Sequence, residues 1–282
     1  MALTIRQRAQ RIGGTGVAYL AAMLFVAPIA WTALSSLKPA EEAAQPPLPP
    51  WPTTGLSLDT YTALNGFGAG VLTHFLNSLV VAIGAMAITC AVSLLAGYGF
   101  SRFRFPLRNV LFIAIMVTIM IPFQSILTPL FLVLSALGLQ NSLAGLALVY
   151  VTLQLPFSVF MMRNAFDAVP KEIDEAARID GCGPLAMLPR VLLPLVRPSL
   201  VTVAIFAFLA SWNEFLAALV FLSDNDKYTL PVLMSALRSG LYGSIDWGAV
   251  QAGVTVMMVP CLLIFLVLQR YYVRGLTAGA VK

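Results

Sequence analysis

The chain carries little with which to do covalent chemistry. No Gly-Lys dipeptide occurs in its 282 residues, so a phosphate-cradling GxxxxGK[ST] loop is excluded. One histidine, His74, is present, which rules out an HExxH metal helix. A Ser/His/Asp triad would have to use that residue, and no GxSxG elbow accompanies it. Cys90, Cys182 and Cys261 lie far apart without a CxxC pair. Neither a disulfide framework nor a zinc site follows, and small apolar filler is the simplest role for each. Gly13-Gly14-Thr15-Gly16 has no strand before it and is not a dinucleotide fingerprint. Charge is scarce too, at 10% of residues.

In place of charge there is apolar length. Hydrophobic residues make up 59% of the chain, against about 45–50% in a soluble domain. A membrane span needs about 20 mostly apolar residues, and the uncharged runs supply six: 17–37, 75–100, 110–134, 142–162, 198–222 and 249–268. The first is too long for a signal peptide and reads as a retained helix. Residues 38–74 form a proline-rich loop, with His74 at the membrane interface. The second span is rich in Ala, Gly and Ser, which let membrane helices approach closely. Pro122, Pro129 and Pro156 mark candidate kinks in the third and fourth. Gln124, Asn213 and Glu214 are the polar side chains that a pathway through the membrane would use. Helix–helix hydrogen bonding for Gln124 and an interfacial position for Glu214 are the plainer alternatives.

Fourteen of the 17 basic residues fall on one side of this arrangement. They lie in the N-terminal tail 1–16, the turn at Arg102–Arg108, the loop 163–197 and the C-terminal tail 271–282 or just before it. Lys38, Lys227 and Arg238 are on the other. The positive-inside rule therefore places both termini and the long loop in the cytoplasm. With the basic residues in loops between spans, the net charge of +5 is no nucleic-acid signal.

The loop 163–197 holds the most informative stretch, PKEIDEAARIDGCGPLAMLPRVLLP over 170–194. Pro170 suits a helix start, and Glu172, Asp174 and Glu175 suit the positive end of the helix dipole. Gly181 is a natural stop. A helix of about eleven residues is expected, then a break at Gly181–Pro184, then a second short helix ending at Pro194. So short a helix is marginal alone in water. The residues allow either a membrane-surface connector or a docking element.

Glu175-Ala176-Ala177, three residues, Gly181, nine residues, Val191, one residue, then Leu193-Pro194 resembles the EAA loop of bacterial ABC-importer permeases, which have Ile where this chain has Val191. WNEF at Trp212–Phe215, FLSDNDKYTLP at Phe221–Pro231 and GLTAGAVK at Gly275–Lys282 resemble the smaller permease subunit of maltose-type sugar importers. The resemblance implies an all-α integral membrane protein of six transmembrane helices with a cytoplasmic coupling-helix loop. It also implies docking on a separate ATPase through Glu175, Ala176, Ala177, Arg178, Asp180 and Gly181. Leu193 and Pro194 would set the loop's exit, and Gly275, Leu276 and Thr277 would add a second contact. The implied partners are a second homologous permease, two ATPase subunits that use ATP and Mg, a solute-binding protein and the lipid bilayer, with no nucleic acid. The chain itself would bind no cofactor or metal and would not be an enzyme. The implied cargo is a sugar or related polyol, and the implied location the bacterial cytoplasmic membrane. A self-contained secondary transporter fits less well, because Glu214 is the one ionisable group inside a span and no second copy of the EAA-like stretch occurs. An intramembrane enzyme lacks a paired nucleophile and base.

Overall fold

The computed structural model describes residues 5–43, 48–243 and 245–278, with side chains between 15 and 267. The described residues form helices and connecting segments with no strand. Five helical segments are long and apolar enough to cross a membrane, and a sixth crossing exists if one sharply bent pair counts as a span. This is the expected all-α membrane architecture.

Two compact units are present, Met1–Val71 with Met234–Val259, and Leu72–Leu233 with Pro260–Lys282. In the first, α1 (Ile5–Ser35) exposes Leu20, Leu24 and Phe25. The proline-rich loop then contains two short helices, α2 (Ala40–Ala43) and α3 (Asp59–Asn65), where irregular chain is expected from sequence. Thr60 Oγ1 donates to Ser36 O at 2.5 Å and fixes α3 to the end of α1. The Glu42 carboxylate accepts from the Thr53 and Thr54 amides at 3.0 and 2.7 Å and from the Thr54 hydroxyl. These bonds hold its pKa well below the ordinary carboxylate range, at about 2, with the Thr54 hydroxyl the largest cause.

The second unit is built around α4 (Val71–Arg102) and α7 (Leu143–Asp167). The small residues of α4 do what their type suggests. A Cβ on Gly97 would sit 2.6 Å from Met162 Cβ and 2.9 Å from Arg163 N, so α4 crosses α7 at near backbone contact. His74 lies inside α4 and is fully buried.

Between them, α5 (Arg108–Thr118) and α6 (Phe123–Ala136) meet at 106°. Pro122 stands at the break with extended ψ, because a proline ring there cannot continue the preceding helix. The unbroken third span expected over 110–134 is thus two half-length helices. The fifth span differs as well. After α8 (Lys171–Ile179), helix resumes at Pro184 and runs through α9 (Pro184–Met187), a π-helical turn at Leu188–Leu192 and α10 (Leu193–Asn213). It does not stop at Pro194. The wide turn accommodates Pro189 and Pro194, which lack the N–H that regular α-helical bonding needs. Glu214 then breaks the helix, and α11 (Leu216–Phe221) follows.

The loop expected over 223–248 contains α12 (Leu230–Arg238), whose Leu230, Val232, Leu233, Met234 and Leu237 are buried. The last helix, α13 (Trp247–Ala278), extends its backbone past the expected span end.

Candidate functional site

The site grows from α8. Pro170 precedes it in extended conformation, Glu172 and Asp174 fill its first turn, and Arg178 lies in its last. Its end is a complete Schellman motif. Cys182 N donates to Ala177 O at 2.9 Å and Gly181 N to Arg178 O at 3.0 Å. Gly181 sits at φ +78°, a conformation that side-chain-bearing residues rarely adopt. The glycine read as a stop is therefore fixed there by geometry.

One face of α8 turns inward. Asp174 and Ala177, three residues apart and so on one side of the helix, are both buried. Asp174 Oδ2 lies 2.7 Å from Arg102 Nε at the end of α4, with both side chains less than 10% exposed. The contact is a charge pair more than an aligned hydrogen bond, since Arg102 Nε and Asp174 Oδ1 both lack a well-directed partner. Arg102 Nη2 donates to Val169 O at 2.8 Å, Ser101 Oγ to Asp167 Oδ1 at 2.5 Å, and Tyr98 OH to Pro184 O at 2.9 Å. The last turn of α4 thus grips the chain on both sides of α8. Tyr98, Met162, Phe166, Ala177, Met187 and Leu192 form the apolar cluster beneath.

The other face is open. Lys171, Glu172, Glu175, Ala176, Arg178, Asp180 and Gly181 are exposed. So are two large apolar side chains, Ile179 at 86% and Leu185 at 90%. Sequence reasoning missed Ile179 and Leu185. It also missed Arg102 and Tyr98, whose role depends on contacts with residues 72 and 86 positions away.

Several expected site residues stand elsewhere. Ala177 packs into the subunit's own apolar cluster, whereas Ala176 beside it is exposed. Leu193 and Pro194 lie within continuous helix and set no exit; the turn is at Gly181–Gly183. Gly275, Leu276 and Thr277 belong to the α13 backbone, and their side chains lie outside the described residues.

The three polar residues read as pathway-lining fare differently. Gln124 is exposed in the first turn of α6. Asn213 Nδ2 donates to Leu209 O one turn back, at 2.8 Å. Glu214 accepts from Tyr150 OH at 2.9 Å and from the Ala217 amide at 2.9 and 3.0 Å, which caps α11. A cavity of about 780 Å³ lies between the α5–α6 bend and α7, lined by Ile121, Pro122, Phe123, Pro129, Leu153 and Pro156 among others. Its two threonine hydroxyls, on Thr118 and Thr152, already donate to their own helices. Among the described residues no cluster of His, Cys, Asp or Glu gathers that would hold a metal ion.

Helices long and apolar enough to cross a membrane, with a short amphipathic helix pinned on one face and open on the other, define a polytopic membrane protein. Residues 90–278 match the model of the binding-protein-dependent transport system inner membrane component family, and the chain belongs to that family. It is 32% identical over 265 residues to the diacetylchitobiose uptake system permease protein NgcG of Streptomyces coelicolor, covering 92% of this chain and 85% of that one. It is 37% identical over 206 residues to the trehalose/maltose transport system permease protein MalG of Thermococcus litoralis, covering 73% and 74%. Its fold is similar to a chain of a bacterial ABC transporter involved in the import of the acidic polysaccharide alginate, with a TM-score of 0.79, 21% identity and coverage of 96% and 99%. The protein is a permease subunit of a binding-protein-dependent ABC importer.

Proposed function

We propose that this permease carries a sugar or related polyol, paired with a second, homologous permease to line the path. Two ATPase subunits, which bind the ATP and Mg, grip the coupling helices from the cytoplasm. A solute-binding protein delivers cargo from outside. Both termini and α8 face the cytoplasm, as the distribution of basic residues favours. The sugar class rests on relatives whose names specify diacetylchitobiose, arabinooligosaccharides and trehalose or maltose.

The observation that carries the ATPase-docking reading is the division of α8. Its inner face is locked to α4 through Asp174, while Glu175, Ala176, Arg178, Ile179 and Asp180 stand open. A helix fixed this way delivers force to the subunit when a partner pulls on it. Gly181 supports the docking surface by making the turn, with Gly275–Thr277 a second contact. ATP-driven closure of the ATPase pair then moves α8 and swings the spans between inward and outward access. In the α5–α6 cavity the Thr118 and Thr152 hydroxyls already donate to their own helices, which favours cargo contacts elsewhere on the path.

The test is a mild-detergent purification of the tagged chain from its own cells, with every co-purifying protein identified. An ATPase and a second permease are expected. Recovery of the chain alone, with solute movement in vesicles that needs no ATP, would overturn the reading.

A further inference from the structure

The helix that grips the docking loop is also tied down at its other end. His74 Nδ1 lies 2.8 Å from Tyr228 O. A carbonyl only accepts, so this nitrogen carries the proton. Asn77 Nδ2 donates to Asp226 O at 2.8 Å and to Tyr228 O at 3.0 Å. Ser78 Oγ accepts from Leu230 N at 2.7 Å, a buried bond at the start of α12. Three side chains within two turns of α4 thus hold the segment 226–230. Ser78 and Arg102 are 24 residues apart, about 36 Å along a helix that rises 1.5 Å per residue.

What joins these ends differs from the other membrane-crossing segments in having no proline. The other four membrane-crossing segments all contain proline, at Pro28 in α1, Pro156 in α7, Pro189, Pro194 and Pro198 across Pro184–Asn213, and Pro260 in α13. Proline is the commonest cause of a helix kink. α4 has none over 32 residues. It is further braced where Gly97 meets the backbone of α7.

We propose that α4 is a strut that carries movement of the docking helix to the outer segment 226–230, with Arg102 and Tyr98 as positioning residues at the inner end and His74, Asn77 and Ser78 at the outer end. The proposal rests on the reading of α8 as the ATPase-docking element. When the ATPase pair moves α8, the Asp174–Arg102 pair passes the displacement to α4. A proline-free helix does not absorb it by bending, so the outer segment follows. The segment 226–230 then acts as the outer reporter of nucleotide state, in a place where it can shape the entry of cargo from the binding protein.

The experiment uses the full complex with its ATPase and second permease in lipid vesicles. Cys90, Cys182 and Cys261 are replaced, and a spin label is placed at Lys171→Cys or at Asn225→Cys, both exposed positions. ATP with vanadate is added. With the strut intact, both labels change mobility. With Arg102→Ala, the label at 171 is expected to respond as before, and the response at 225 to fall at least fivefold. The exchange Arg102→Asp with Asp174→Arg is expected to restore it. Ser78→Ala supplies the same split from the other end if Arg102→Ala does not assemble. An undiminished response at 225 in Arg102→Ala or Ser78→Ala overturns the strut, as does a loss that the exchange fails to restore. If the label at 171 is silent with no other substitution present, the docking reading itself fails, and that signature is distinct from a failure of the strut alone.

Discussion

The two polar sides of this chain are fastened by different chemistry. On the α8 side a buried charge pair, Arg102–Asp174, holds the loop that carries α8. On the opposite side neutral groups do the holding, with His74, Asn77 and Ser78 bonded to the backbone of 226–230. Glu42, in the other compact unit, is half-buried and is held by hydrogen bonds from Thr53 and Thr54. A buried pair is stiff and specific because removing either partner strands the other charge. Neutral hydrogen bonds to backbone are individually weaker. The α8 loop is thus fastened by charge and the segment 226–230 by neutral hydrogen bonds.

Removing one partner of the pair breaks this contrast most directly. Arg102→Ala should cost about 3–5 kcal/mol, because Asp174 stays buried without its countercharge. Thermal unfolding in detergent would show it as the largest drop among these variants. Gly97→Leu attacks the brace between the two sides. It should cost about 1–3 kcal/mol in the same measurement, through overpacking against Met162 and Arg163 N. Gly99→Leu is the control and should be near neutral, since nothing lies within 4 Å of the Cβ it adds. Ser78→Ala tests a neutral contact and should cost about 1 kcal/mol. It should raise hydrogen exchange at the Leu230 amide far more than at Cys182.

The smallest effect is expected at Glu42. Its folded pKa, about 2, is below the ordinary 4.5. The hold on Thr53 and Thr54 is therefore complete above pH 4.5 and lost as pH falls toward 2. Amide exchange at Thr53 and Thr54 should rise across that window in the native chain. In Glu42→Gln it should be faster at neutral pH and free of that acid step.

What could be read from sequence follows from the range of the interactions involved. The start and stop of α8 are local, set by Pro170, the first-turn acids and Gly181, and they were legible. The long uncharged runs were legible as spans for the same reason. The direction in which α8 faces was not. Its short pattern gives two faces, and only the distant Arg102 decides that Asp174 and Ala177 turn inward. Pro122 announced a kink, but a 106° break needs the packing of both halves against α7 to be realised. α12 was hidden inside a stretch whose charges, Asp224, Lys227 and Arg238, made it look like a loop. Glu214 looked like a pathway residue because a carboxylate near a membrane suggests function. Tyr150, 64 residues earlier, is what satisfies it.

The central claim is that the open face of α8 is where the ATPase binds, and Ile179 is the place to test it. Ile179→Asp puts a charge on an exposed position, 86% accessible, that contributes nothing to the subunit's own core. The variant should insert in the membrane and unfold at the same temperature as the unsubstituted chain, while the ATPase recovered with it falls at least tenfold. Equal recovery of the ATPase with Ile179→Asp would contradict the account.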